Sequence, residues 1–419
     1  MLPIPSQRVI NFERLAFGLF VHWGLYSQLG CGEWVQSNRL MSAEAYAPLM
    51  ANFTAKDFNA DAFVALAKAA GMKYIVLTTR HHEGFSLYDT RGLSDFDAPH
   101  SPAHRDLVAE FVAACRRGGI VPFFYHTTLD WHWHGKNTVD LDEAEFNEYL
   151  DYLLASVEVL CRNYGKVGGF WFDGNWSRPQ SDWKFSRLYE MIRQYQPEAM
   201  IVDNTGVFRP GEPGHPDVDV VTFENQAAKP VNREGYAKYA ACEVCQTMNS
   251  HWGIGARDFN FKSPREVIEV LCHSRGCGAN LLLNIGPETD GAIPAYEREV
   301  LLIVGKWIAL YGEAIYETKP VTGVKCHGRD FLLQHGKDYY YFVFDLGIHG
   351  DANVTVDVAG IGSRCIDGFT AKVVTAQWLD NAQTVAFSQN PEAGMLALRC
   401  NGYPYGEHTV VRVMKLVTA

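Results

Sequence analysis

The 419-residue sequence has no run of 18 apolar residues, so no membrane-spanning helix and no membrane partner is expected. It has no surplus of positive charge. Lys and Arg number 37 against 48 Asp and Glu, a formal net charge of −11. No basic stripe appears, which argues against nucleic acid as a partner. The opening MLPIPSQRVINFERLAFG lacks a basic start followed by a long apolar stretch. No secretory leader is expected there, and the expected location is cytoplasmic. In that compartment the N-x-S/T matches at Asn52, Asn175 and Asn353 carry little meaning. A Gly-rich phosphate loop is missing too: Gly18, Gly24, Gly30 and Gly32 do not make a GxGxxG after the first strand-like run. That counts against a nucleotide-binding doubly wound sheet.

The ten cysteines form no framework. Cys242 and Cys245 make a CxxC, but Cys272 and Cys277 follow with the looser CxxxxC spacing. Structural zinc prefers two tight pairs, so buried, reduced thiols are the expectation, with no metal and no cofactor. Aromatic residues, by contrast, are abundant at 13%. They fill cores, and they also build the walls of sugar sites, where apolar C–H faces stack on rings.

Strand-like and helical runs alternate through the first three quarters of the chain. The strand-like runs are 17–23, 73–79, 121–125, 168–172, 199–203, 218–222 and 280–285. The helical runs are 62–72, 107–117, 143–164, 183–195, 264–275 and 295–311. Apolar strands alternating with helices predict a parallel sheet covered on both faces, here a (β/α)8 TIM-like barrel. Beyond Thr318 helical periodicity vanishes. Short strands are expected at 331–335, 339–344, 353–358, 371–378, 395–400 and 409–413, divided by turns such as HGKD and NGYPYG. This predicts an antiparallel β-sandwich over 318–419 after a barrel over 1–317, with Lys319-Pro320 ending the last helix.

The ends of the barrel strands carry the chemistry. In such barrels the active site lies at the C-terminal ends of the strands. Here the strands end in His22-Trp23, Arg80-His81-His82-Glu83, Tyr125-His126, Asp173-Gly174, Glu224-Asn225 and Asn284. Asp173 is the sharpest of these. It follows the apolar run GGFWF, and a carboxylate there must be paired or functional because burying a lone charge is costly. Histidine, carboxylate and aromatic wall together suit a sugar. A glycosidase needs two carboxyl groups, and Glu224 and Glu243 are candidates for the second. His132-Trp-His134 raises a metal hydrolase as an alternative, but this pair follows the third strand rather than ending the first.

FGLFVHWGLYS, Gly32-Glu33-Trp34, TTRHHEGF, FFYHTTLDW, FWFDG, ANLLLNIGPETDG and YGEAIYET resemble, in order, the α-L-fucosidases of glycoside hydrolase family 29. The blocks run from Phe17 to Thr318 and so cover the whole expected barrel. The resemblance implies a retaining enzyme acting on terminal α-L-fucosyl groups of an oligosaccharide or glycoconjugate. Asp173 stands at the family's nucleophile position. His22, Glu33, Trp34, His81, His82, Tyr125 and Trp252 stand at sugar-binding positions, the paired histidines on hydroxyls and Trp252 against the C5 methyl. In retaining enzymes the two carboxyl groups lie about 5–5.5 Å apart. The acid/base position varies in this family. Glu224 is preferred over Glu243 because it ends a strand facing the site. Val202-Asp203-Asn204-Thr205 departs from the family's Asn-Asp-Arg, and Arg209 is the nearest substitute. Another TIM-barrel glycosidase, for instance one for a galactoside, and a non-catalytic sugar-binding barrel are the remaining readings. Exposed aromatics leave association into a homo-oligomer open.

Overall fold

The structure, a computed structural model, describes residues 3–349 and 360–419. Eight strands close into a parallel barrel in sequence order. They are β1 Phe17–Val21, β2 Tyr74–Arg80, β3 Val121–Thr127, β4 Gly169–Asp173, β5 Met200–Asp203, β6 Val220–Glu224, β7 Ala241–Gln246 and β8 Asn280–Ile285. β8 pairs with β1, Leu281 opposite Phe17, which closes the ring. The strands are buried along nearly their whole length, as continuous apolar runs covered on both faces must be.

β7 was not among the expected strands. Its sequence, ACEVCQ, carries a glutamate and two cysteines, and no helix precedes it to mark a βα unit. Helices Ala60–Ala69, Leu107–Gly118, Glu143–Asn163 and Phe185–Tyr195 separate the first five strands. Asn59, Asp106 and Asp142 cap the first three of these through their side chains. Each caps because a short oxygen side chain accepts one of the orphan N–H groups of the first turn. After β5 there is only the short turn Thr205–Val207, and β6 runs to β7 without a helix.

Helix Gln7–Glu13 closes the opposite end. Val9 and Phe12 join the interior cluster, with the Phe12 ring edge-on to Tyr74 at 5.8 Å. At the same end Asp219, one residue before β6, gathers cations from three segments. It accepts from Arg8 Nε at 3.2 Å and Lys238 Nζ at 3.0 Å, and pairs with Arg193. It also takes the backbone N–H of Ile201 at 3.0 Å.

The chain divides into two compact units, Met1–Lys262 with Asn280–Leu302, and Ser263–Ala279 with Ile303–Ala419. The first holds the whole barrel. The second holds helix Pro264–Gly276, the larger part of helix Ala295–Ile315 and the C-terminal strands. Among its described residues the strands are antiparallel, apart from a two-residue parallel pair at Ile348 and Tyr403. Five form one sheet, among them Phe331–His335, Asp338–Val343, Val373–Trp378 and Arg412–Thr418. Three form another: Gly362–Asp367, Phe387–Asn390 and Met395–Cys400. Leu332, Tyr341, Trp378 and Met414 from the larger sheet meet Ile366, Leu396 and Leu398 from the smaller in one core. That is the interdigitation expected of a sandwich. The last helix ends at Ile315, and Lys319–Pro320 is a short edge strand. The strand expected at Asn353–Val358 lies outside the described residues. Among the described residues no helix is long and apolar enough to cross a membrane.

Asp219 gives a test of the closed end. Its pairing cations hold its carboxyl below the ordinary range against the cost of burial, so its contribution is present at neutral pH and lost on acidification. The cations are only 23–32% exposed. Asp219→Ala is expected to cost about 3 kcal/mol in chemical denaturation, because it strands charges in a poorly solvated corner. A change below about 0.5 kcal/mol, the size of an ordinary surface substitution, would contradict this.

Candidate active site

The mouth of the barrel holds a cavity of about 270 Å³. Its lining includes His22, Trp34, His81, His82, Tyr125, Asp173, Glu224 and Trp252, all singled out from sequence. Phe20, Trp171, Trp176, Asn204, Val207 and Phe208 complete it. The volume is at the small end for a ligand pocket and suits one sugar ring.

Asp173 is the last residue of β4, and its side chain is 13% exposed. Four groups converge on it. Oδ1 accepts from Trp176 Nε1 at 2.9 Å and from Asn204 Nδ2 at 3.3 Å. Oδ2 accepts from the Tyr125 hydroxyl at 3.0 Å and lies 3.5 Å from His82 Nε2. Its backbone carbonyl takes the Thr128 N–H at 2.7 Å. The chain turns sharply at Gly174, with φ near 105°. A Cβ there would sit 2.8 Å from the Leu129 backbone nitrogen, so only glycine fits.

Glu224 ends β6 and faces the same cavity. The Asn204 amide donates to its Oε2 as well as to Asp173 Oδ1, so one NH2 group spans both carboxyls. The Thr222 hydroxyl meets Asn204 Oδ1 at 3.3 Å and keeps that amide turned toward them. Burial, and then the charge of Asp173, raise Glu224 to about 7. It therefore keeps its proton where an ordinary glutamate has lost it.

Glu243 behaves differently. It lies in the barrel interior, 1% exposed, and does not line the cavity. Its oxygens accept from Tyr74 OH at 2.5 Å and Trp171 Nε1 at 2.9 Å. Glu33 is likewise set back. Its carboxylate accepts the backbone N–H groups of Trp252 at 3.0 Å and Gly253 at 2.8 Å. Those two bonds anchor the backbone that carries the Trp252 indole, which packs 5.0 Å from the His22 ring. Trp34 and Trp176 stack at 5.7 Å and form an aromatic wall.

Hydrogen bonding decides what two of the histidines present. The Asn284 amide donates to the Trp252 carbonyl at 2.7 Å, which leaves its oxygen to accept from His22 Nδ1 at 2.7 Å. His22 Nε2 is then an acceptor. The Thr127 hydroxyl donates to the Leu129 carbonyl at 2.7 Å, so its oxygen accepts from His82 Nδ1 at 2.6 Å. His82 Nε2 is an acceptor too. Burial lowers both imidazoles, His22 to about 3 and His82 to about 4, so both are neutral.

The other residues raised by the sequence lie elsewhere. His132 stacks on Phe96 at 3.9 Å, outside the cavity lining. Among the described residues no three His, Cys, Asp or Glu side chains are grouped to hold a metal ion. None of the ten cysteines forms a disulfide. Arg209 is exposed and lines a neighbouring cleft that shares Trp176, Asn204 and Phe208 with the cavity.

Residues 6–313 match the family model described as Alpha-L-fucosidase. The chain belongs to the α-L-fucosidase family. It is 31% identical over 345 residues to the tissue α-L-fucosidase of Mus musculus, covering 76% of this chain and 72% of that one. The human tissue enzyme is 30% identical over 346 residues, with 76% and 70% covered. The solved α-L-fucosidase isoenzyme 1 of Paenibacillus thiaminolyticus superposes with a TM-score of 0.84 at 31% identity, covering 99% of both chains. A family 29 α-L-fucosidase from Bacteroides thetaiotaomicron shares the fold, with a TM-score of 0.83 at 22% identity over 100% of this chain and 96% of that one. Family membership thus agrees with the barrel and the C-terminal antiparallel sheets.

The anchoring role of Glu33 is testable without substrate. Glu33→Ala removes the acceptor of two backbone N–H groups, each such bond to a charge being worth about 1.5–3 kcal/mol. Amide hydrogen exchange at Trp252 and Gly253 is expected to quicken at least ~10-fold, with the β1–β8 amides unchanged. Unchanged exchange at 252–253 would contradict the anchoring.

Proposed function

We propose that the protein is a retaining, exo-acting α-L-fucosidase that releases terminal α-L-fucosyl groups through a covalent fucosyl-enzyme on Asp173. Family membership supports the sugar, and one feature of the cavity supports the mechanism. Asp173 and Glu224 face one small pocket, bridged by a single amide, and Glu224 retains its proton near neutrality. A retaining glycosidase needs this division of labour between a nucleophile and an acid.

The steps follow from the donors. The Asp173 carboxylate attacks the anomeric carbon as the bond to the leaving oxygen breaks. Glu224 gives its proton to that oxygen, and the aglycone departs as an alcohol. Water then attacks the anomeric carbon, Glu224 takes its proton, and the bond to Asp173 breaks to regenerate the carboxylate. Tyr125, Trp176 and Asn204 hold the carboxylate in one orientation, so little reorganisation precedes attack. The acceptor nitrogens of His22 and His82 accept hydrogen bonds from hydroxyls of the sugar. Trp252 and Phe20, 5.7 Å apart, form the apolar surface that favours a C5 methyl over a hydroxymethyl group.

The deciding experiment is release of 4-nitrophenol from its α-L-fucoside and its β-galactoside. Turnover of the fucoside, indifferent to EDTA and reduced at least ~10³-fold in Asp173→Ala, is expected. Azide is expected to rescue Glu224→Ala and not Glu243→Ala. Because the acid must be protonated, kcat/KM is expected to fall as pH rises through about 7. Cleavage of the galactoside alone would overturn the sugar. Loss of activity on chelation would overturn the two-carboxyl mechanism in favour of a metal hydrolase.

A further inference from the structure

His81 shares the cavity with His22 and His82, yet no hydroxyl or amide fixes its tautomer. Its ring is locked in place, stacked on Tyr125 at 5.5 Å and 11° and edge-on to Tyr26 at 5.4 Å. Its Nδ1 points away from the cavity into the protein and has no hydrogen-bond partner. There it faces Glu83, whose Oε2 lies 3.7 Å away. Glu83 is 1% exposed, and neither of its oxygens is hydrogen-bonded to a side chain. Gly24 makes room for it, since a Cβ at that position would sit 2.4 Å from Glu83 Oε1. Two buried polar groups facing each other without other side-chain partners call for an explanation.

We propose that Glu83 is a positioning residue whose carboxyl sets the tautomer of His81, so that His81 donates toward the sugar while His82 and His22 accept. The inference rests on the sugar-binding reading of the cavity. Burial raises Glu83 to about 8, so at neutral pH its carboxyl carries a proton. Burial also holds His81 well below its usual range, so the ring is neutral. A protonated carboxyl donates O–H to Nδ1, and the ring proton must then sit on Nε2. The 3.7 Å gap closes by rotation about the soft terminal torsion of the glutamate. The neighbouring histidines, 4.1 Å apart between ring centres, therefore offer opposite polarity to adjacent hydroxyls. A hydroxyl is both donor and acceptor, so a site of mixed polarity selects how each one points.

The device has a pH signature. Asp130 and Arg80 act on Glu83 in opposite senses, and the Tyr26 and Tyr46 hydroxyls face it from the segment after β1. Once Glu83 ionises it can only accept. His81 must then move its proton to Nδ1, and the donor in the cavity is lost.

Imidazole ¹⁵N resonances of histidine-labelled protein read the tautomer directly, with His81→Asn to assign the signal. In the wild type at about pH 6 the His81 proton is expected on Nε2, moving to Nδ1 at about pH 9.5. Glu83→Gln, whose amide still donates, is expected to keep Nε2–H at both pH values and a wild-type KM near neutrality. Glu83→Met is expected to raise KM about tenfold with kcat little changed, the sign of lost ground-state binding. A proton on Nδ1 in the wild type at about pH 6 would overturn the proposal, as would a pH response in Glu83→Gln equal to the wild type's. The resonances need no turnover. A wild type with the expected pattern but no fucosidase activity would sink the functional reading alone.

Discussion

Two largely buried carboxyl groups that share one amide in a small pocket cannot both be charged at low cost, and the rest of the site depends on that conflict. Asn204 reaches Asp173 and Glu224 with the same nitrogen. Like charges repel strongly where water is scarce, so one group keeps its proton. Asp173 accepts donors on both oxygens, from Trp176, Asn204 and Tyr125, and those bonds fix its orientation. Glu224 has the poorer supply and the raised proton affinity. Under the proposed mechanism, position alone divides the roles of nucleophile and acid between two ordinary carboxyls.

The barrel supplies that position. β4, β5 and β6 are neighbours, and their last residues or the next ones are Asp173, Asn204 and Glu224. A parallel barrel points all its C-terminal ends the same way, so three successive strands deliver the three groups to one place. With no helix after β5, the connection 204–219 brings Val207 and Phe208 into the cavity lining. The opposite end is closed by apolar packing from helix Gln7–Glu13 and by the charge cluster on Asp219. Conserving the ring and varying the mouth is the division that lets such barrels host chemistry.

Much of this was legible in the sequence because strand ends are local features. Apolar runs broken by His22, His81, Asp173 and Glu224 announce both the strand and the face. What escaped was non-local. β7 carries Glu243 and two cysteines in a run that should be apolar, and only the fold shows Tyr74 and Trp171 waiting for that carboxyl. Asn204 stood out in the sequence merely as part of a departure from a family pattern; its bridging role needs the adjacency of β4, β5 and β6. Glu33 stands beside Trp34 in sequence and looked like a sugar contact. One of its carboxylate oxygens binds the backbone of residues more than 200 positions away. Spacing along the chain cannot report contacts of that kind.

The conflict between Asp173 and Glu224 is best tested by following Glu224 itself. Side-chain carboxyl ¹³C resonances of glutamate-labelled protein, assigned with Glu224→Gln, would be titrated in the wild type and in Asp173→Asn. Glu224 is expected to titrate near 7 in the wild type and to fall by at least ~1 unit when the neighbouring charge is removed. A Glu224 that titrates in the ordinary carboxylate range, or one indifferent to Asp173→Asn, would contradict the account.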